Sequence, residues 1–153
     1  MLYSRFAIYY VPPEGPLADF GAKWLGWDVV TGRKVPHFNV PGLHDITMTP
    51  HKYGFHGTLK PPFKLKEGKT LDALEIEASN MATSLAPAVC DGMKLTSLGR
   101  FLALTPFGTL DSLQLIAEAY VRNLDEFRAP AEDAELAKRL KAGLSLRQQA
   151  LLA

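Results

Sequence analysis

The chain has a single cysteine, Cys90, in 153 residues. An internal disulfide is therefore excluded, and a reducing compartment suits the composition. Long apolar runs are missing as well. The stretch from Leu2 to Val11 is apolar but too short to span a bilayer, and nothing resembles a cationic signal-peptide start, so a soluble, cytoplasmic protein without membrane contact is expected. Charge of one sign is also lacking: 17 Lys and Arg residues stand against 16 acidic ones. Such a balance gives no basic field for holding long nucleic acid, so any phosphate site must be local. No repeat, low-complexity tract or interdomain linker interrupts the sequence. With 47% apolar and 22% charged residues, residues 1–153 read as one ordinary folded domain.

The densest chemistry lies in Tyr53-Gly54-Phe55-His56-Gly57-Thr58-Leu59-Lys60-Pro61-Pro62. In a strand, side chains alternate between faces, which would put His56, Thr58 and Lys60 on one face and Tyr53, Phe55 and Leu59 on the other. An imidazole, a hydroxyl and an ammonium in a row can serve one bound phosphate as proton carrier, hydrogen-bond donor and positive charge. A strand with one wet face would show the same three residues. Gly54 and Gly57 favour a ligand, because glycine inside a strand marks close approach by a ligand or another backbone. Pro61-Pro62 is expected to end the strand at Lys60.

Around this run the elements follow from periodicity. Ser4 to Val11 reads as a first strand, stopped by Pro12-Pro13. Pro16 opens a helix whose Leu17, Phe20, Trp24 and Trp27 recur at helical steps and belong in the core. Thr31 to Pro50, broken by Pro36, Pro41, Gly42 and Pro50, reads as a long loop. Gly68-Lys69-Thr70 introduces an amphipathic helix with Leu71, Leu74, Ala78, Met81 and Leu85 on one stripe, ending before Pro87. Ala88–Leu98 and Phe101–Thr105 form a hairpin about Gly99-Arg100, with Pro106 ending the second strand. Thr109 or Asp111 caps a helix running through Phe127, and a further helix runs from Pro130 to Gly143. Ser145 and Gln148 match a capping box, so another helix begins there and meets the end of the chain about two turns later.

Other candidate residues rest on weaker patterns. Arg5 and Tyr9 share a face of the first strand, and Arg100 and Phe101 sit at the hairpin, so each is a candidate for lining a phosphate or base pocket; a sheet-edge charge and core aromatics are the alternatives. The four histidines, His37, His44, His51 and His56, fall in one short segment, yet they match no strong metal-ligand spacing, and no metal or other cofactor is expected. Cys90 has no neighbouring base in sequence and reads as an inert thiol.

His56-Gly57-Thr58-Leu59 resembles the H-x-[ST]-h motif of the two-histidine (2H) phosphoesterases, the superfamily of the RNA ligase-like 2′,5′ enzymes and cyclic phosphodiesterases. The wider strings Arg5-Phe6-Ala7-Ile8-Tyr9-Tyr10-Val11-Pro12, Trp24-Leu25-Gly26-Trp27-Asp28, Tyr53 through Phe63 and Leu98-Gly99-Arg100-Phe101-Leu102-Ala103-Leu104 resemble its phosphonate-metabolism branch, in order along the chain. That resemblance implies an α+β fold of two lobes, each an antiparallel sheet backed by helices, around a central cleft. It also implies a metal-independent phosphodiesterase acting on a small phosphorylated ribose or nucleotide, cyclic or 2′-linked. One histidine would take a proton from the attacking oxygen and a second would give one to the leaving oxygen, while Ser/Thr hydroxyls hold the phosphoryl group. By this resemblance His56 is catalytic, Thr58 holds phosphate and Lys60 adds charge.

The family has two such motifs, and this sequence has one. All four histidines precede residue 57, and only His56 is followed two residues later by Ser or Thr. The chain is therefore expected to be the first part of a longer family member, weakly active or inactive alone, with an apolar patch or sheet edge exposed and a tendency to self-associate. Two alternatives remain: a phosphate- or nucleotide-binding domain without catalysis, and a second copy supplying the other half of the site.

Overall fold

In a computed structural model, residues 4–99, 101–132 and 137 are described. Strand β1 (Phe6–Tyr10) leads through Pro12-Pro13 into helix α1 (Pro16–Leu25). Pro16 opens that helix, where a missing N–H costs nothing, and Gly26 closes it in the left-handed region at φ 70°, its N–H donating to the Ala22 carbonyl. The helix thus stops short of Trp27. That residue, expected on the helical stripe, instead begins the two-residue strand β2 (Trp27–Asp28), paired with β3 (Arg33–Lys34).

The segment read as a loop from Thr31 to Pro50 holds more structure than its prolines suggested. It contains β3 and the short helix α2 (Leu43–Thr47), followed by a 3-10 turn (Pro50–Lys52). Leu43 is 1% exposed, and the Thr47 hydroxyl donates to the Leu43 carbonyl at 2.7 Å. These contacts have no sequence period to announce them.

Strand β4 (Gly57–Phe63) pairs antiparallel with β1, and this pairing departs from a regular ladder twice. Phe6 opposes Phe63, Ile8 opposes Lys60, Tyr9 opposes Thr58 and Tyr10 opposes Gly57. Between each of the first two steps β4 carries one residue more than β1, the signature of a β-bulge. One extra residue falls at Leu59 and the other at Pro61-Pro62. The prolines, expected to end the strand, are carried within it because a bulge relieves the ladder of their absent N–H groups.

Helix α3 (Leu71–Ser84) begins at Thr70, whose hydroxyl accepts from the Ala73 N–H at 3.2 Å. It packs with α4 (Asp111–Asn123) against the β1–β4 sheet. Phe63, Leu74, Met81, Tyr120, Leu124 and Phe127 form the buried core, flanked by Phe6, Ile8, Leu59 and Leu65. The buried Tyr120 hydroxyl donates to the Ala78 carbonyl at 3.2 Å, tying α4 to α3, and burial raises its pKa.

Neither Thr109 nor Asp111 caps α4 through its side chain; Leu110 stands at the cap position. The helix gives way to a 3-10 turn (Asp125–Phe127) rather than continuing to Phe127. Strands β5 (Gly92–Leu98) and β6 (Phe101–Phe107) make the expected hairpin, but β6 runs past Pro106. Met93, Leu95, Leu98, Phe101, Leu102 and Phe107 are exposed on it.

The described residues thus make a mixed arrangement of four α-helices and three small antiparallel sheets. No helix among them is long and apolar enough to cross a membrane. Pro130 to Glu132 are not helical, Ala137 is, and the remainder of the helix expected from Pro130, with Arg100 and the helix expected from Ser145, lies outside the described residues.

Candidate functional site

His56 stands immediately before β4, at the end of a turn that several elements pin in place. The Tyr53 and Gly54 N–H groups donate to the Pro50 carbonyl at 3.0 and 3.2 Å. Gly54 is buried at φ +73°, and a Cβ there would lie 2.6 Å from Val29 Cβ. Only glycine fits both demands. The close approach that sequence assigned to a ligand is made here by the protein's own Val29. Phe55 lies across Gly21 of α1 so closely that a Cβ on Gly21 would overlap its ring. His51 Nδ1 donates to the Leu25 carbonyl at 2.8 Å, satisfying a carbonyl at the C-terminal end of α1 and anchoring the turn.

The imidazole of His56 is held on both nitrogens. Nδ1 lies 3.0 Å from the Gly54 carbonyl, which can only accept, so Nδ1 carries the hydrogen. Nε2 lies 3.3 Å from Thr58 Oγ1. In the neutral ring Nε2 is then the acceptor and the Thr58 hydroxyl the donor. The Tyr9 ring stacks on the imidazole with centroids 3.7 Å apart and planes 24° apart. Cross-strand partners share a face, so the pairing of Tyr9 with Thr58 puts ring, imidazole and hydroxyl on one side of the sheet. His56 is half-buried and Thr58 is exposed.

Lys60 is elsewhere. Its cross-strand partner is Ile8, which packs on the core, and the bulge at Leu59 has moved Lys60 to that same side. Only 3% of it is exposed. Its Nζ donates to the Val121 carbonyl at 2.7 Å and to Asp125 Oδ1 at 3.2 Å, and lies 5.5 Å from the centre of the Phe63 ring. The expected polar row of His56, Thr58 and Lys60 is therefore a pair. Strict alternation fails because the strand is bulged between Thr58 and Lys60.

Arg5 is also remote from the pair. Its guanidinium donates to the Pro62 carbonyl at 2.8 Å, beside the Phe6–Phe63 end of the ladder. Arg5 and Tyr9 are four positions apart, about 13 Å along an extended strand. Phe101 lies at the tip of the β5–β6 hairpin and is 55% exposed. Two shallow hollows, one beside Arg5 and Arg128 and one beside Trp27 and Phe55, include neither His56 nor Thr58.

The remaining histidines are engaged with other partners. His37 Nε2 meets Thr47 Oγ1 at 3.3 Å, His44 lies beside Asp45 at 3.4 Å, and His51 holds Leu25. Among the described residues no three His, Cys, Asp or Glu side chains are grouped to hold a metal ion. Val29 is the supporting residue that sequence reasoning missed, while Gly54 and His51 stood out in the sequence for other reasons. A glycine three residues before the strand was the one available signal, and it was assigned to a ligand.

The architecture is that of a small α and β protein in which a half-buried imidazole and an exposed hydroxyl are gathered at one end of a bulged antiparallel strand pair. The chain belongs to the family described as "Protein of unknown function (DUF1045)", whose model matches residues 58–153, well over half of it. It is 38% identical to a protein of Janthinobacterium sp. (strain Marseille) named ribose 1,5-bisphosphate phosphokinase PhnN, over 97% of this chain and 34% of that protein. A protein of the same name from Laribacter hongkongensis (strain HLHK9) is 32% identical over 96% of this chain and 35% of its own length. The chain thus spans about a third of the length of these curated relatives. No solved structure matches.

Proposed function

We propose that this chain supplies one histidine–threonine half of a metal-independent phosphoesterase site acting on a cyclic or 2′-linked ribose phosphate, within phosphonate metabolism. The observation that carries this reading is the His56 Nε2 to Thr58 Oγ1 approach of 3.3 Å, with Nδ1 committed to Gly54. A neutral Nε2 facing an exposed position can take a proton from an attacking water as its oxygen bonds to phosphorus. The P–O bond to the ribose then breaks, and a second acid, from another segment or from solvent, protonates the leaving oxygen. The Thr58 hydroxyl turns from Nε2 to a phosphoryl oxygen and offsets the charge that grows there.

The resemblance of the motif and its flanking strings to the 2H phosphoesterases supports this chemistry, and the two-lobed 2H architecture is part of the same proposal. The ribose bisphosphate in the relatives' name supports a small ribose phosphate as substrate. We place the kinase activity of that name outside these 153 residues. The phosphate-cradling pattern G-x-x-x-x-G-K-[ST] requires a glycine five residues before its Gly-Lys-Thr. Here Gly68-Lys69-Thr70 has the buried Phe63 at that position. Lys69 pairs with Glu126 at 2.6 Å and Thr70 caps α3, so this tripeptide starts a helix.

A second reading, phosphate or nucleotide binding without turnover, is favoured by one observation. Among the described residues, the hydrogen bonds of His37, His44 and His51 run to Thr47, Asp45 and Leu25, and none runs to His56. Both readings are tested together by following hydrolysis of a nucleoside 2′,3′-cyclic phosphate in chelator, with calorimetry on the same ligand. Turnover that drops roughly 10²- to 10⁴-fold in His56→Ala supports the esterase. Binding without turnover, weakened in Thr58→Val, supports the binder, and equal rates for wild type and His56→Ala remove His56 from the chemistry.

A further inference from the structure

The contacts of His56 define more than its location. An imidazole can hold its single hydrogen on either nitrogen, and a proton carrier works only if the bare nitrogen faces the reacting atoms. Two contacts act on this choice, and both come from outside the H-x-T motif. The Gly54 carbonyl accepts from Nδ1 at 3.0 Å, while the Tyr9 ring lies against the imidazole face at 3.7 Å.

We propose that Tyr9 and Gly54 are positioning residues that fix His56 in its Nδ1–H tautomer, with Nε2 aimed at Thr58. The proposal rests on the phosphoesterase reading for its catalytic consequence, though not for the tautomer itself. Tyr9 stops the ring from swinging about its bond to Cβ, because stacked planes leave no room for rotation. Gly54 then supplies the acceptor that decides which nitrogen is protonated. Tyr9, a candidate for contacting substrate on sequence grounds, acts instead through His56.

Both placements have a local cause. Tyr9 lies on the site face because the bulge at Leu59 changes the phase of β4 between Lys60 and Thr58, pairing Tyr9 with Thr58 rather than with Leu59. Gly54 can present its carbonyl to the ring because its backbone adopts φ +73° against Val29, a conformation and a space closed to other residues. The two positions are thus coupled to different elements, the first strand and the turn behind α1, and they meet on one ring.

The test is nitrogen-detected NMR of the histidine ring in the full chain, read on the neutral imidazole, alongside steady-state hydrolysis of a nucleoside 2′,3′-cyclic phosphate. The wild type should show the Nδ1–H tautomer with ring protons shifted upfield by the Tyr9 ring. Tyr9→Phe should keep both, whereas Tyr9→Leu should lose the upfield shift and admit the Nε2–H tautomer. In the kinetic arm Tyr9→Leu should lower kcat by up to about 10²-fold with KM little changed, and Tyr9→Phe should restore it. A wild-type ring already in the Nε2–H form overturns the proposal without any variant. So does a Tyr9→Leu ring unchanged in tautomer and shift. If the tautomer behaves as stated but His56→Ala hydrolyses substrate as fast as wild type, the positioning holds and the phosphoesterase reading fails.

Discussion

Lys60 and Asp125 meet across the core boundary, Nζ to Oδ1 at 3.2 Å, with the ammonium almost wholly buried and the carboxylate half exposed. The same ammonium reaches the Val121 carbonyl in the last turn of α4, where backbone acceptors lack helical partners and the helix dipole favours a cation. Lys60 therefore ties the strand that carries Thr58 to the helix behind it.

Replacing Lys60 with Met keeps the packed stem and removes the charge. The Val121 carbonyl then loses a buried donor, while Asp125 retains water and Arg128. Denaturant unfolding should show a loss of about 1–3 kcal/mol, the usual cost of stranding a buried polar group. Calorimetric affinity for a ribose phosphate should stay near the wild-type value. A variant of unchanged stability and lost affinity would return Lys60 to the ligand.

Asp125 makes folding sensitive to acid. Its hydrogen bond from Arg128, at 2.7 Å, is the first cause holding its carboxyl below the usual carboxylate range, with Lys60 adding to the same effect. A carboxylate so held stabilises the fold fully above its unfolded pKa, near 3.9. That contribution is lost as pH falls through the lower folded value. Thermal midpoints should therefore drop as pH is lowered from about 5 to 3. In Arg128→Gln the part of the drop due to Asp125 should shrink, since its folded and unfolded values move closer together. An identical pH profile in the variant would show that this pair does not contribute.

Gly21→Ala tests the packing that anchors the turn before His56. The added Cβ would overlap the Phe55 ring, so either α1 or Phe55 must move. Overfilling a packed site costs typically about 1–3 kcal/mol, and a melt should register it. The displaced Phe55 should also shift the ring resonances of His56, its neighbour in the chain. A variant as stable as wild type would mean that α1 slides freely over the turn.

The parts of the fold that follow from local rules were legible. Gly68-Lys69-Thr70 reads as a helix start because it precedes a periodic apolar stripe, and α3 begins there with the Thr70 hydroxyl as its cap. Leu74 and Met81 lie on that stripe and are buried. Gly99 and its flanking β-rich runs foretell the β5–β6 hairpin. What escaped depends on pairing between distant segments. Lys60 looks equivalent to Thr58 by parity, and nothing in the residues from Gly57 to Phe63 says that β1 will be matched one residue short at Leu59. Trp27 continues a helical period that Gly26 cuts, since a left-handed glycine outweighs one more apolar residue. Pro106 and Pro61 look like strand ends, but strands with a single neighbour can hold a proline where no N–H is required.

The two irregularities in β4 separate what the two ends of one strand can tolerate. At its far end Phe63 is locked into the core against Leu74 and Tyr120, where a change of phase would bury polar groups. At its near end Thr58 pairs with Tyr9 and meets His56. Because an unpaired residue lies between them, the site end can drift in sequence, or shift by one position, without sending the error into the core. Removing Leu59 would undo this insulation: Lys60 would still stand opposite Ile8 and Thr58 opposite Tyr9, but in an unbroken ladder with no slack between them, so a shift at the site would pass directly to the buried Lys60.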